Sequence, residues 1–430
     1  MSKKKKVAPV VRPPTKRQLS RWQKQKRQQR IIFGIGAVVI AAVLILVGSG
    51  IYFGWYVPVK KPLRNTLLEV GDTRFSNGYL IDSMKYQLDT MMGDQWQWYY
   101  AYMYSSYILD IVTNAEVMRQ EAEKMGIVVS EDEINEQLQG HPDRKNRALR
   151  DIVRAALLEQ KLRDEYFAPQ LPVNPEQRQI MAMLLESQSQ LDEVRAKLAS
   201  GDTFGELAGE YSLDNFTGSM QGDLGFRPRG VLESLLGSTV IEEAVFTQEL
   251  GVLSQVKDDD VVKPVGYWLI KVTEIDEDGI AHLSAMLLGS KEEALEIRAR
   301  LEGGEDFTTL AEEFSQSWSE TDKDNAGTLA HDADSIWVDY VFDDDTEIGA
   351  VSPPIKDTTL DSGTTGGYWL ILVEASENRD ITGENYVIMT SLLFNDWLSE
   401  VQEKVADSVI NYLDYDRASW IADYLTGALS

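Results

Sequence analysis

Three hydrophobic patterns follow one another along the chain. The first is an unbroken apolar run at 31–53, IIFGIGAVVIAAVLILVGSGIYF, whose 23 positions carry no charge. At about 1.5 Å of rise per residue such a run crosses a hydrocarbon core of roughly 30 Å, so a transmembrane helix is expected over 31–56. Trp55 and Tyr56 follow, as amphipathic rings do at a membrane interface. The second pattern has a helical period and runs from 74 to about 170. NAEVMRQEAEKMG (114–126) is amphipathic and stops at Gly126, a residue suited to a C-cap. SEDE (130–133) is a capping box that opens another helix, and RALRDIVRAALLEQKLRDEYF (147–167) is a long amphipathic one. A helical lobe is expected over 58–172, closed off by Pro172 and NPEQ (174–177).

The third pattern mixes strands, turns and short helices, and it occurs twice. SGDTFGELAGEYS (200–212) returns as GGEDFTTLAEEFS (303–315), AMLLES (182–187) as AMLLGS (285–290), and GYWLIKV (266–272) as GYWLILV (367–373). The matches keep their order at an offset near 100 residues, which indicates a tandem duplication. Repeat one is placed at 175–277 and repeat two, the more degenerate, at 278–376. After them TSLLFNDWLSEVQEKVADSVINYL (390–413) is helical again. Leu393, Trp397, Val401, Val405 and Val409 form one stripe in it. A lone amphipathic helix needs a partner, so the helices of 384–430 are expected to pack on the 58–172 lobe, with both repeats inserted between.

Charge assigns sides. The chain has 42 basic and 69 acidic residues, and twelve of the basic ones lie in residues 1–30, where there is no acid. A basic tail beside an apolar run predicts a cytoplasmic N-terminus, a single-pass anchor in the cell membrane and an extracytoplasmic body. That body holds 30 basic against 69 acidic residues, which argues against nucleic acid as a partner. There is no cysteine, hence no disulfide. No Walker loop, HExxH or GxSxG is present. KDDD (257–260) and FDDDTE (342–347) lack EF-hand spacing and read as solvated acidic faces. No metal and no cofactor is expected.

Residues 200–226, SGDTFGELAGEYSLDNFTGSMQGDLGF, with VIEEAVF, LGVLSQV and GYWLIKV within 240–272, resemble the parvulin (PpiC, rotamase) peptidyl-prolyl isomerases. The order of segments is most similar to extracytoplasmic foldases of the SurA, PrsA and PpiD type. The resemblance implies an α+β fold: a SurA-like all-helical chaperone lobe completed by a C-terminal helix, with two tandem parvulin-like domains inserted. It implies unfolded or proline-containing polypeptides as clients. Active members carry one His in the first strand, another in the last, and a Cys or Asp near the YS loop. Here the first-strand positions are Ala182 and Ala285, the last-strand positions Trp268 and Trp369, and the loop positions Asp214 and Ser317. Only Asp214 carries over as a catalytic candidate. His282 lies three residues before Ala285, and His141 and His331 fall elsewhere.

Turning an X-Pro bond means crossing a barrier of about 18–20 kcal/mol with no bond broken, so the site must favour the twisted amide. Alanine supplies no hydrogen-bonding group and indole one donor only. Weak or lost turnover is therefore expected. The alternatives are an active isomerase using repeat one and a non-catalytic scaffold in an envelope complex. By position, Leu224, Phe226, Leu232, Ile241 and Trp268 line an apolar peptide-binding cleft in repeat one, or else form its core. DQWQWYYAYMYSSY (94–107) has two Trp and five Tyr, and reads either as an adaptable client surface or as a helix–helix interface.

Overall fold

The computed structural model describes residues 16–93, 97–360 and 363–428. The chain forms two compact units. One runs to Leu162 and resumes at Asn395; the other is Arg163–Phe394. In the first, α1 (Lys16–Ile51) carries the uncharged run and continues as a π-helical turn to Lys60. Strands β1 (Thr66–Val70) and β2 (Thr73–Ser76) lead to α2 (Asn77–Met92), capped by Ser76. Next come α3 (Trp98–Lys124), α4 (Glu131–Gln137) and α5 (Arg147–Lys161). Both halves of the Ser130–Glu133 capping box are made.

The second unit holds two sheets. Repeat one supplies β3 (Glu176–Leu185), α6 (Gln188–Ser200), α7 (Phe204–Tyr211), α8 (Asn215–Ser219), β4 (Asp223–Pro228), α9 (Leu232–Leu236), α10 (Ile241–Thr247), β5 (Leu253–Lys263) and β6 (Gly266–Ile275). Repeat two supplies β7 (Ala281–Leu288), α11 (Lys291–Glu302), α12 (Phe307–Phe314), β8 (Asn325–Leu329), α13 (Val338–Val341), β9 (Ile355–Asp357) and β10 (Thr364–Asn378). The sheets do not follow the repeats. Their orders are β4-β3-β10-β5 and β8-β7-β6-β9. Each repeat's closing strand is hydrogen-bonded into the other repeat's sheet. Ile371 sits opposite Ala182, and Ile270 opposite Ala285. The boundaries 175–277 and 278–376 mark the repeats in sequence, while the two sheets exchange the repeats' last strands.

The link between β5 and β6 gives a physical reason. Only Pro264 and Val265 separate Lys263 from Gly266. A two-residue hairpin wants positive φ in its turn, which proline cannot adopt and valine resists. The chain therefore runs on from one sheet into the other. Where the two crossing segments meet, a side chain would not fit. A Cβ on Gly266 would lie 2.7 Å from Thr364 Cγ2, and one on Gly363, at φ +66°, would lie 2.6 Å from the Lys263 carbonyl oxygen. The buried Lys263 ammonium donates to the carbonyls of Thr365 (2.8 Å) and Gly366, and the Thr364 hydroxyl donates to the Val265 carbonyl.

The chain then returns to the first unit through α14 (Gly383–Val405), β11 (Val409–Asn411) and α15 (Tyr415–Leu425). Four of the five expected stripe residues are used: Trp397, Val401, Val405 and Val409 join Leu67, Leu80, Met84, Ile108, Val112 and Ile421 in one core, and Leu393 does not. The helix stops at Val405, and Val409 opens a strand. The lobe thereby gains a small sheet, β11-β1-β2, which its helical periodicity does not announce.

Two outcomes are expected of the full chain. With no native cysteine to interfere, Gln179→Cys paired with Ala375→Cys cross-links readily, because these residues are register partners, whereas Gln179→Cys with Glu274→Cys does not. Non-reducing gel mobility decides it, and the reverse result would restore the unexchanged domains. Secondly, burial pushes the Lys263 ammonium down to about 8 from 10.5 in the unfolded chain. Between those values the unfolded chain keeps a proton that the folded one has shed, so stability rises with pH through the window and is lost as pH falls through 8. Lys263→Met removes this rise, worth up to roughly 3 kcal/mol, in denaturant unfolding at pH 7.5 to 10.

Candidate functional site

In the first sheet the three family positions are set by β3, the loop after α7, and β10. Ala182 on β3 is fully buried. Asp214 is half-buried and caps α8, its Oδ1 accepting from Thr217 N at 2.7 Å. The loop before it is tied to β3: Leu213 N donates to Leu184 O at 2.8 Å, and Leu184 N donates to Ser212 Oγ at 3.1 Å. The last-strand position here is Trp369, delivered by β10, and not Trp268 as consecutive reading of repeat one implies. Trp369 is fully buried, opposite Leu184 and Val256. Its indole N–H donates to Asp258 Oδ2 at 3.1 Å. Asp258 also accepts from the Ser238 hydroxyl and from the backbone N–H groups of Asp260 and Val261. It is buried, so one member of the KDDD run is not part of a solvated face; Asp259 and Asp260 are exposed.

Trp268 occupies the matching place in the second sheet. Its indole donates to Asp357 Oδ2 at 3.0 Å, and its ring meets Trp337 edge-on at 5.1 Å. Burial works to raise the Asp357 carboxyl. The N–H of Thr359, the Trp268 indole and the Thr359 hydroxyl outweigh it and hold the group below the usual carboxylate range. In both sheets the acceptor stands two residues beyond the tryptophan's cross-strand partner: Val256 then Asp258, Ile355 then Asp357. The two copies of the GYWLI phrase therefore make reciprocal latches, each repeat's indole on the other repeat's carboxylate.

Leu224, Leu232 and Ile241 do come together with Ala182 and Trp369, as buried members of one cluster. They form core, not an open cleft. Phe226 is half-buried under the Arg379 guanidinium, 4.1 Å above its ring. Asp223, expected in the turn of the glycine loop, instead opens β4, where its Oδ1 accepts from Gly225 N at 2.8 Å. None of the three histidines belongs to this sheet. His282 lies on β7 opposite Thr328, with Nε2 3.8 Å from an Asp276 oxygen. The indole at the last-strand position is a single donor, committed to Asp258.

Sequence reasoning missed a cavity of about 610 Å³ in the lobe. Phe75, Tyr79, Val112, Ile127 and Leu158 supply its apolar wall, and Glu116, Arg119, Arg147 and Arg154 its polar one. Arg147 lies over the rings of Phe75 (5.3 Å) and Tyr79 (5.1 Å). Glu116 accepts from Thr73, Arg119 and Gln120, which keep its carboxyl low despite the opposing effect of burial. Arg147, Arg150 and Arg154 line the cavity from one face of α5, and their i, i+3, i+7 spacing was the available signal.

Two family models match. A SurA-like N-terminal domain covers residues 21–181, and a PPIC-type peptidyl-prolyl isomerase domain covers 175–274. The chain carries a SurA-like lobe joined to a PPIC-type domain. Among curated proteins it is similar to a foldase protein PrsA of Caldanaerobacter subterraneus, 28% identical over 177 residues, 38% of this chain and 55% of that one. It is also similar to a chaperone SurA of Hahella chejuensis, 24% identical over 292 residues, 59% of this chain and 60% of that one. The chain thus spans little more than half the length of these relatives. A crystal structure of PrsA from Bacillus cereus aligns over 84% of this chain and 99% of that one, at 11% identity and a TM-score of 0.26. The segment matched to the PPIC-type model ends in β6, which completes the second sheet; the first sheet of that domain is closed from outside the match, by β10.

Trp369→Phe leaves the buried Asp258 one donor short and also opens a small void where the second indole ring stood, so it costs at least about 1–3 kcal/mol. Trp268→Phe costs less, because Trp268 and its neighbour Trp337 are partly exposed where Trp369 is fully buried. Denaturant unfolding of the two variants checks the order; Trp268→Phe costing as much as Trp369→Phe would remove the buried latch.

Proposed function

We propose that this protein is a membrane-anchored extracytoplasmic folding factor that holds unfolded or newly translocated polypeptides, with little or no prolyl isomerisation. The observation that carries the second half is the fate of the two imidazole positions. In the first sheet they are a methyl group and a fully buried indole locked on Asp258. An X-Pro amide gains nothing from a group that is enclosed and already bonded. Asp214, the remaining family residue, spends its carboxylate on capping α8.

Holding is assigned to the lobe. Its cavity sets aromatic and aliphatic side chains beside paired charges, a lining that suits extended polypeptide of mixed composition. The relatives named foldase and chaperone support this reading. The helix Val38–Arg64 is long and apolar enough to cross a membrane, and its apolar window is not buried within the protein. With the basic tail before it, the body lies on the outer side.

The full chain in detergent micelles is expected to suppress aggregation of a chemically unfolded client at near-stoichiometric ratio. It is expected to leave cis–trans exchange of a proline-containing peptide, read by NMR exchange spectroscopy, at the uncatalysed rate. Acceleration of exchange that Asp214→Asn abolishes would establish the active-isomerase reading instead. Absence of both activities would leave the scaffold.

A further inference from the structure

The aromatic stretch of 94–107 falls on the first turns of α3; residues 94–96 lie outside the described ones. Its side chains divide. Ala101, Ser105 and Ile108 face the lobe core, while Tyr99 (60% exposed), Tyr100, Met103 and Tyr107 face outward. Residues 98–109, WYYAYMYSSYIL, contain no charge, whereas the rest of α3 contains Asp110, Glu116, Arg119, Glu121, Glu123 and Lys124. On so acidic a protein, three turns of exposed uncharged helix mark an unusual environment. Its position identifies which one.

The start of α3 is linked to the end of the apolar helix through α15. Trp420 on α15 donates its indole N–H to Pro58 O at 3.0 Å. The Lys60 ammonium lies between the rings of Trp55 (5.4 Å) and Tyr424 (5.9 Å). On the same short helix Asp423 accepts from the Trp98 indole at 2.8 Å, and Tyr415, 67% exposed, meets Tyr102 edge-on. Trp98 and Tyr102 are stacked. If residues 31–53 fill the hydrocarbon core, Pro58 and Lys60 stand at the outer headgroup level. The start of α3 stands beside them, one helix width of about 10 Å away.

We infer that the uncharged aromatic face formed by Tyr99, Tyr100, Met103, Tyr107 and Tyr415 seats the helical lobe on the outer lipid surface, as an interfacial foot beside the anchor. Rings with an apolar body and a polar tip partition to that depth, and the absence of charge removes the desolvation cost of resting there. The inference rests on the anchoring reading above.

Because the chain has no cysteine, single Cys variants carry nitroxide labels cleanly. Full-length protein labelled at Tyr99→Cys, Met103→Cys, Val43→Cys or Val128→Cys is reconstituted in phosphatidylcholine vesicles. Collision with oxygen and with a water-soluble nickel chelate is then measured. Val43 reports the anchor. Val128 lies beyond the far end of α3, about 40 Å from Trp98 for a helix of 27 residues. The expected result is an oxygen-to-nickel ratio at 99 and 103 several-fold above that at 128 and below that at 43. Ratios at 99 and 103 equal to that at 128, with 43 still lipid-exposed, would overturn the foot and leave the anchor standing. Nickel access at 43 as well would overturn both. Labels at 99 and 103 that are wet in vesicles, and shielded only when an unfolded polypeptide is added, would make this face a client surface and overturn the lipid assignment.

Discussion

Each indole–carboxylate latch in the second unit joins two different repeats: Trp369 to Asp258 and Trp268 to Asp357. The latches matter because the strands that carry the tryptophans are not at home. β10 lies between β3 and β5, and β6 between β7 and β9, each as an inner strand whose loss would split its sheet. Neither repeat owns a complete sheet, so neither can bury its apolar face without the other. A four-stranded sheet missing an inner strand leaves ladder groups unpaired and core residues such as Ile180 and Leu184 uncovered. The two repeats are therefore expected to fold and unfold as one cooperative body. Their long-range pairings, 176–185 with 368–378, are of the kind that form slowly.

The side chain that closes the fold also stands where the parvulin resemblance places an imidazole. In a catalytic parvulin the corresponding position projects a group that both donates and accepts. Here it projects a ring that donates once, inward, to a carboxylate satisfied by four donors. The indole packs into the cluster around Ala182, which reads as a core. On the proposed reading, polypeptide handling moves to the lobe, whose cavity has a polar wall of paired charges such as Arg119 with Glu116 and Arg154 with Asp151.

Local chemistry was legible without coordinates. The Ser130–Glu133 box, the stop near Gly126, the stripe through Trp397, Val401 and Val405, and the duplication itself all follow from residues within a few turns of one another or from plain repetition. The buried role of Asp258 was not legible, because one acid in a run of three differs from its neighbours only through the strand laid beside it. The small sheet β11-β1-β2 was hidden for a related reason: its strands are three to five residues long and come from opposite ends of the chain.

What the sequence determined by itself is the set of parts: an uncharged run fit to span a membrane, a capped helical lobe, two copies of a parvulin-like unit, and the absence of histidine from their paired positions. What only the tertiary structure decided is which copy each closing strand serves. GYWLIKV and GYWLILV are nearly the same β-strand, so pattern and propensity cannot choose between their two sheets. The choice falls to the Pro264–Val265 link, which resists a tight turn, and to the glycines that let two backbones cross. Those are constraints of shape that exist only once the chain is folded.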